Sequence, residues 1–212
     1  MNDSDDFLIY QPVPPEADVW GLAVVAGGRA KVSPGAQYPP RGHGEGHAFT
    51  WKNGRVLGAF QVVCVTEGGG EFESKPTGRI AVGAGTVIVI FPGVWHRYRP
   101  DAQTGWTESW IEVVGTTTDR LLAAGIISPE RAVIQLVNAD TLSAMMKTIH
   151  QRLQRRLQRY DAEAGALALQ FFSRLAAAQR GRAEPSPVDA AIARAERVLL
   201  EHLNDPPPMP EV

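Results

Sequence analysis

GTVIVIFPGVWHRYRPDAQTGWTESWIEVV, Gly85 to Val114, is the stretch whose reading decides the fold. Two apolar runs flank a Phe-Pro-Gly turn, and the second ends with aromatic and charged side chains at alternate positions. Successive strand residues point to opposite faces, so Trp106, Glu108, Trp110 and Glu112 project together, while Thr107, Ser109, Ile111 and Val113 project the other way. Two indoles and two carboxylates in one row suit neither a dry core nor an ordinary solvated face. They suit a barrel wall that lines a pocket for something amphiphilic.

The sequence upstream of this stretch has the same character. From about Val19 onward, WGLAVVAGG, FQVVCVTEGGGEFES and GRIAVGAG alternate β-rich runs with glycine-rich turns and leave no room for crossover helices. Such spacing predicts an all-β sandwich or barrel rather than βαβ units. After Gly115 the period changes. Leu142, Met145, Met146, Ile149, Leu153 and Leu157 recur at intervals of three and four, which predicts a helix over about 140–159 with one apolar stripe. Lys147, Arg152, Arg155, Arg156 and Arg159 read as its solvated face. A second helix over about 161–179 places Leu167, Phe171, Leu175 and Ala178 in register, and two such helices in succession predict an antiparallel pair. GRAEPSP breaks the pattern. Ser186 as cap, Pro187 and Asp189 then open a last helix with the stripe Val188, Ile192, Ala195, Leu199 and Leu203, stopped by NDPPP.

The expected organisation is therefore an arm at 1–18, a barrel at 19–115, helices at 116–180, a linker at 181–187 and a further helix at 188–212. Pro12, Pro14 and Pro15 keep the arm extended. The last helix has an apolar face with nothing after it to pack on, so this end is expected to be cut short.

Bulk composition narrows the function. With 212 residues, 44% of them hydrophobic and 21% charged, the chain can bury a real core. A net charge of −2 gives no general basis for holding a polyanion, so DNA contact by this chain alone is not expected. The single cysteine, Cys64, lies in the apolar run QVVCV and reads as a buried small hydrophobe, which fits a reducing compartment. The acidic start MNDSDDFLIY is unlike a secretory signal, and no run of about 18 apolar residues occurs. A cytoplasmic protein without membrane contact is expected.

TEGGGEF (Thr66–Phe72), VGAGTVIVIFPGVWHRYRPD (Val82–Asp101) and GWTESWIEVVG (Gly105–Gly115) resemble the effector-binding and dimerisation half of AraC-type transcriptional regulators. The β part of that half belongs to the cupin superfamily. DAAIARAERVLLEHLNDP is similar to the opening helix of the family's DNA-binding half. The resemblance implies a mainly β fold with C-terminal α: a cupin-like jelly-roll barrel, an antiparallel helical pair and one extra helix. It also implies a homodimer, a small-molecule effector of carbohydrate type, and DNA contact only through helix-turn-helix units that this sequence is expected to lack.

Within that resemblance, Trp110 is placed to stack on the axial C–H face of a sugar ring while rim groups bond its hydroxyls. Tyr98, on the face of His96 and Val94, is implied as a ligand contact, and Glu108 occupies a polar ligand position. Arg55 is a candidate to pair with Glu108 or to donate to ligand oxygens. Trp106 is either a second platform or a packing residue. His96 matches a metal ligand of cupin metalloenzymes, but the earlier strand QVVCVTEGGGEF holds no histidine. His43, Glu45 and His47 of RGHGEGH are the remaining source of ligands for the alternative reading, a metalloenzyme acting on a sugar or small organic acid. Neither a nucleophile with an adjacent base nor a phosphate cradle leading into a helix is present. No cofactor and no catalytic role are expected. A third reading is a bare dimerisation module with a filled barrel.

Overall fold

The alternation of short β-rich runs and glycine turns produces eight antiparallel strands, described in a computed structural model for residues 6–13, 15–40, 49–136, 140–155, 161–180, 188, 191–192, 194–195 and 197–198. The strands are β1 (Phe7–Tyr10), β2 (Ala23–Val32), β3 (Phe60–Ser74), β4 (Gly78–Gly83), β5 (Thr86–Ile90), β6 (His96–Pro100), β7 (Trp106–Val114) and β8 (Val133–Gln135). Helices are α1 (Glu16–Trp20), α2 (Thr116–Ala123), α3 (Asp140–Gln154) and α4 (Ala162–Arg180). The chain divides into two compact units, Met1–Ala178 and Gln179–Val212. In the second, the described residues are helical, and Val188, Ile192 and Ala195 of the expected stripe are exposed. Leu157, the linker 181–187, Asp189, Leu199 and Leu203 lie outside the described residues, as do Met1–Asp5 and Pro14 of the arm.

The length of β3 organises the sheet. Its first half pairs with β5 and β7, its second half with β4 and β6, and the order runs β1-β2-β7-β3-β5-β8. This is the jelly-roll logic of one long strand shared by two sheets. It does not give a closed barrel: among the described residues no ladder joins the free edges of β1 and β8. Two elements differ from the sequence expectation. Trp20, expected in the first β-rich run, ends α1 and is 64% exposed. β8 pairs with β5 beyond Gly115, where the helical period had been expected to take over; three residues are too few to show alternation.

Both faces of the central strands are buried, which is why QVVCV carries no polar alternation beyond Gln61. Val62, Cys64, Ile111 and Val113 point to one side, and Gln61, Val63, Glu108 and Trp110 to the other. The first side is covered by α3, which contacts β2 and β7. Leu142, Met145, Met146, Ile149 and Leu153 are buried there, each burial contributing roughly 1.5–3 kcal/mol. The stripe read from the sequence thus covers the sheet. α4 adds Ala164, Ala168, Phe171, Phe172 and Leu175 to the same core.

Candidate functional site

The site grows from strand alternation. On β6, His96 and Tyr98 share the inner face, their rings stacked with centroids 6.2 Å apart and planes at 11°. Arg55 forms an isolated bridge with His96, which brings its guanidinium over the Tyr98 ring, 5.4 Å from the centroid, and to the edge of the His96 ring. Arg55 Nε donates to His96 Nε2 (3.1 Å), and Nη2 donates to Gln61 Oε1 (2.9 Å) and to the Tyr98 hydroxyl (2.6 Å). Phe49 caps the guanidinium, 4.8 Å from its ring centroid.

His96 Nδ1 lies 3.0 Å from the Val94 carbonyl. That carbonyl can only accept, so the proton sits on Nδ1 and Nε2 is the acceptor for Arg55. Burial, reinforced by the Arg55 charge, pushes the His96 pKa down to about 4, so the ring is neutral near pH 7. Nδ1 carries the proton, and the one in-plane lone pair, on Nε2, accepts from Arg55. Among the described residues no group of three His, Cys, Asp or Glu side chains could hold a metal ion; His43, Glu45 and His47 lie outside those residues.

β7 supplies the other wall. Trp106, Glu108 and Trp110 all turn inward and are buried, as alternation predicts. Tyr38 donates to Glu108 Oε2 at 2.9 Å. Burial drives the Glu108 pKa up to about 7, against the opposing pull of the Tyr38 hydroxyl and the Arg55 charge. Burial also raises the Tyr38 phenol, with the Glu108 charge adding to the shift, and lifts Tyr98 to about 12. The Trp106 N–H favours the charged form of Glu108, yet makes no hydrogen bond of good geometry with any described residue. Trp106 packs edge-on against Tyr38, with centroids 5.7 Å apart, and lies 6.2 Å from Tyr98.

Open space lies on both sides of the Tyr38–Glu108 contact. A hollow of about 390 Å³ is walled by Trp110, Glu108, Phe7, Leu8, Arg29 and Lys31. A second, of about 620 Å³, opens at the mouth over Tyr38, Phe49, Trp51, Tyr98 and Arg99. Ala36 borders both. Gly28 stands opposite Trp110 in the ladder, and a Cβ there would lie 2.9 Å from the indole, so glycine is what lets the ring lie flat along β2. Tyr10 covers another side of the indole at 6.0 Å.

The six expected residues therefore divide. Trp110 and Glu108 wall one hollow and Tyr98 the other; Arg55 and His96 form the polar floor behind Tyr98; Trp106 is a packing partner of Tyr38. Sequence reasoning missed Tyr38, Phe49 and Gln61. Gln61 was legible as the one polar residue in the apolar run FQVVCV. Tyr38 and Phe49 lie in irregular chain, where no period marks a face.

A family model described as "AraC-like ligand binding domain" matches residues 34–172. Among solved structures, the chain is similar to ToxT from Vibrio cholerae (9% identity, 72% of this chain and 59% of that one, TM-score 0.39). It is also similar to a cupin protein from Bacteroides fragilis (13% identity, 53% and 80%, TM-score 0.35). A third is a Cupin 2 conserved barrel domain protein from Salinispora arenicola (16% identity, 58% and 88%, TM-score 0.32). No curated protein matches the sequence.

Proposed function

The chain belongs to the AraC-like ligand binding domain family, and from that premise we propose that it senses a sugar or sugar derivative in the hollow walled by Trp110 and Glu108 and so controls DNA binding by a helix-turn-helix domain. The observation that carries this reading is a buried indole beside a buried carboxylate on one wall of a space of about 390 Å³. An indole face packs on C–H groups, and a carboxylate accepts from hydroxyls; a monosaccharide offers both at that size.

The same hollow suggests how occupancy is reported. Leu8 of the edge strand β1 and Trp110 of β7 flank it on either side of Gly28, on one face of the sheet. A guest touching both sides favours the state in which β1 is docked on β2, and the shift equals its differential affinity for docked and undocked forms. The protein acts as a cytoplasmic homodimer and performs no catalytic step. Because the α3 stripe is already spent on β2 and β7, the dimer uses a different surface.

A thermal-shift screen of sugars and sugar acids tests the reading. A ligand at 100 times its dissociation constant adds about 2.7 kcal/mol. Trp110→Ala is expected to lower the affinity of the best hit by about 1–3 kcal/mol in calorimetry. No hit, or a hit that binds the variant equally well, overturns the proposal.

A further inference from the structure

On the outer face of the sheet, α3 does not pack dry along its whole width. Its buried stripe is flanked by Ser143, Lys147, His150, Gln151 and Gln154, which follow one another at helical spacing along one side. They face Arg29, Ser109 and Thr66 across a cleft of about 460 Å³. Arg29 and Ser109 are directly paired across β2 and β7, so the guanidinium and the hydroxyl enter from adjacent strands.

The lining is one-sided chemically. It holds two cations, three hydroxyl groups and two carboxamides, and no carboxylate. In a chain whose net charge is −2, that is a local reversal of sign. Arg29 is in part neutralised by Asp6 at 3.5 Å, outside the cleft lining. Lys147 has no ion-pair partner, and the Ser109 and Ser143 hydroxyls have no hydrogen-bond partner, among the described residues. His150 is held in place by donating Nε2–H to the Trp110 carbonyl (3.0 Å) and by edge-on contact with Phe7 at 4.8 Å, and burial pushes its pKa down to about 4, so it forms a fixed, neutral floor near pH 7.

We propose that this cleft binds a small phosphate-bearing molecule, its phosphoryl oxygens held by Lys147, Arg29 and the Ser109 and Ser143 hydroxyls. A phosphate monoester presents three terminal oxygens and close to two negative charges, and several short charge-assisted bonds from converging donors match that shape. A carboxylate, with one charge and two oxygens, would leave part of the donor set unused. The cleft lies across the sheet from the Trp110 and Glu108 side chains, and Lys147, Ser109 and Ser143 line it alone, so their variants test the assignment separately from the sugar-sensing reading. Arg29 and Phe7 line both spaces and form the wall between them.

The test is calorimetric titration of the full chain with inorganic phosphate at low ionic strength, with acetate as the singly charged comparison. Saturable binding with one phosphate per chain is expected, with acetate at least about tenfold weaker. Lys147→Gln, at an exposed position, is expected to weaken phosphate about tenfold or more. Arg120→Gln, an exposed charge on α2 outside the cleft, is expected to change nothing. Circular dichroism verifies that both variants are folded. Absence of saturable binding, equal affinity for acetate, or equal weakening by the two variants overturns the proposal. Ser143→Ala supplies a second variant without a charge change, and unaltered phosphate affinity in both it and Lys147→Gln likewise removes the cleft from consideration.

Discussion

Replacing Glu108 by Gln should make the protein more stable above neutral pH. The carboxyl is 3% exposed, and its pKa is raised from 4.5 to about 7, chiefly by burial. Because the folded state holds this proton more tightly than the unfolded chain does, folding takes up a proton between the two values. Stability therefore falls as pH rises from about 4.5 to about 7, and above that the full cost of a buried charge remains. A shift of that size corresponds to a ceiling of about 3 kcal/mol. Gln keeps an acceptor for the Tyr38 hydroxyl, which bonds the present carboxylate at 2.9 Å, and carries no charge to desolvate. The expected gain for Glu108→Gln at pH 8 is about 1–3 kcal/mol, or roughly 2–10 °C in Tm for a chain of this size. Near pH 5 the difference should shrink to about a quarter of its value at pH 8. Urea unfolding followed at pH 5, 6, 7 and 8 measures this directly. The two buried histidines pull the other way as pH falls from 6.5 towards 4, where their folded pKa values lie, but they are common to both proteins and cancel in the difference. Parallel pH curves for wild type and variant would show that Glu108 is solvated and refute the buried-carboxylate reasoning.

Three further outcomes follow from the same geometry. Arg55→Ala should destabilise by about 3 kcal/mol or more in urea unfolding, because it strands the acceptors on His96 and Gln61 inside the sheet. Gly105→Ala should cost at least about 2 kcal/mol: φ is +62°, and the added Cβ would run into the Val32 carbonyl oxygen, so any smaller Tm change contradicts the turn geometry. Cys64, buried with its thiol pushed up to about 12, should resist a thiol-labelling reagent at pH 8 and react fully in urea; rapid native labelling would contradict its burial.

Sequence alone determined β2 to β7, the inward row and the helical stripe, because each is a periodic property of a single segment; β8, three residues long, shows no period. Trp106, Glu108 and Trp110 face inward because residues two apart on a strand must share a face. Leu142, Met145, Met146, Ile149 and Leu153 line one side of α3 for the corresponding helical reason. What no period contains is which segment meets which. That Arg55 would engage His96, Gln61 and Tyr98, that Tyr38 would reach Glu108 from irregular chain 70 residues away, and that the sheet would stay open between β1 and β8 were decided by tertiary packing. The pKa values of Glu108 and His96 belong to that level too. Desolvation depends on everything that covers a group, and the residues that cover these two come from segments remote in sequence.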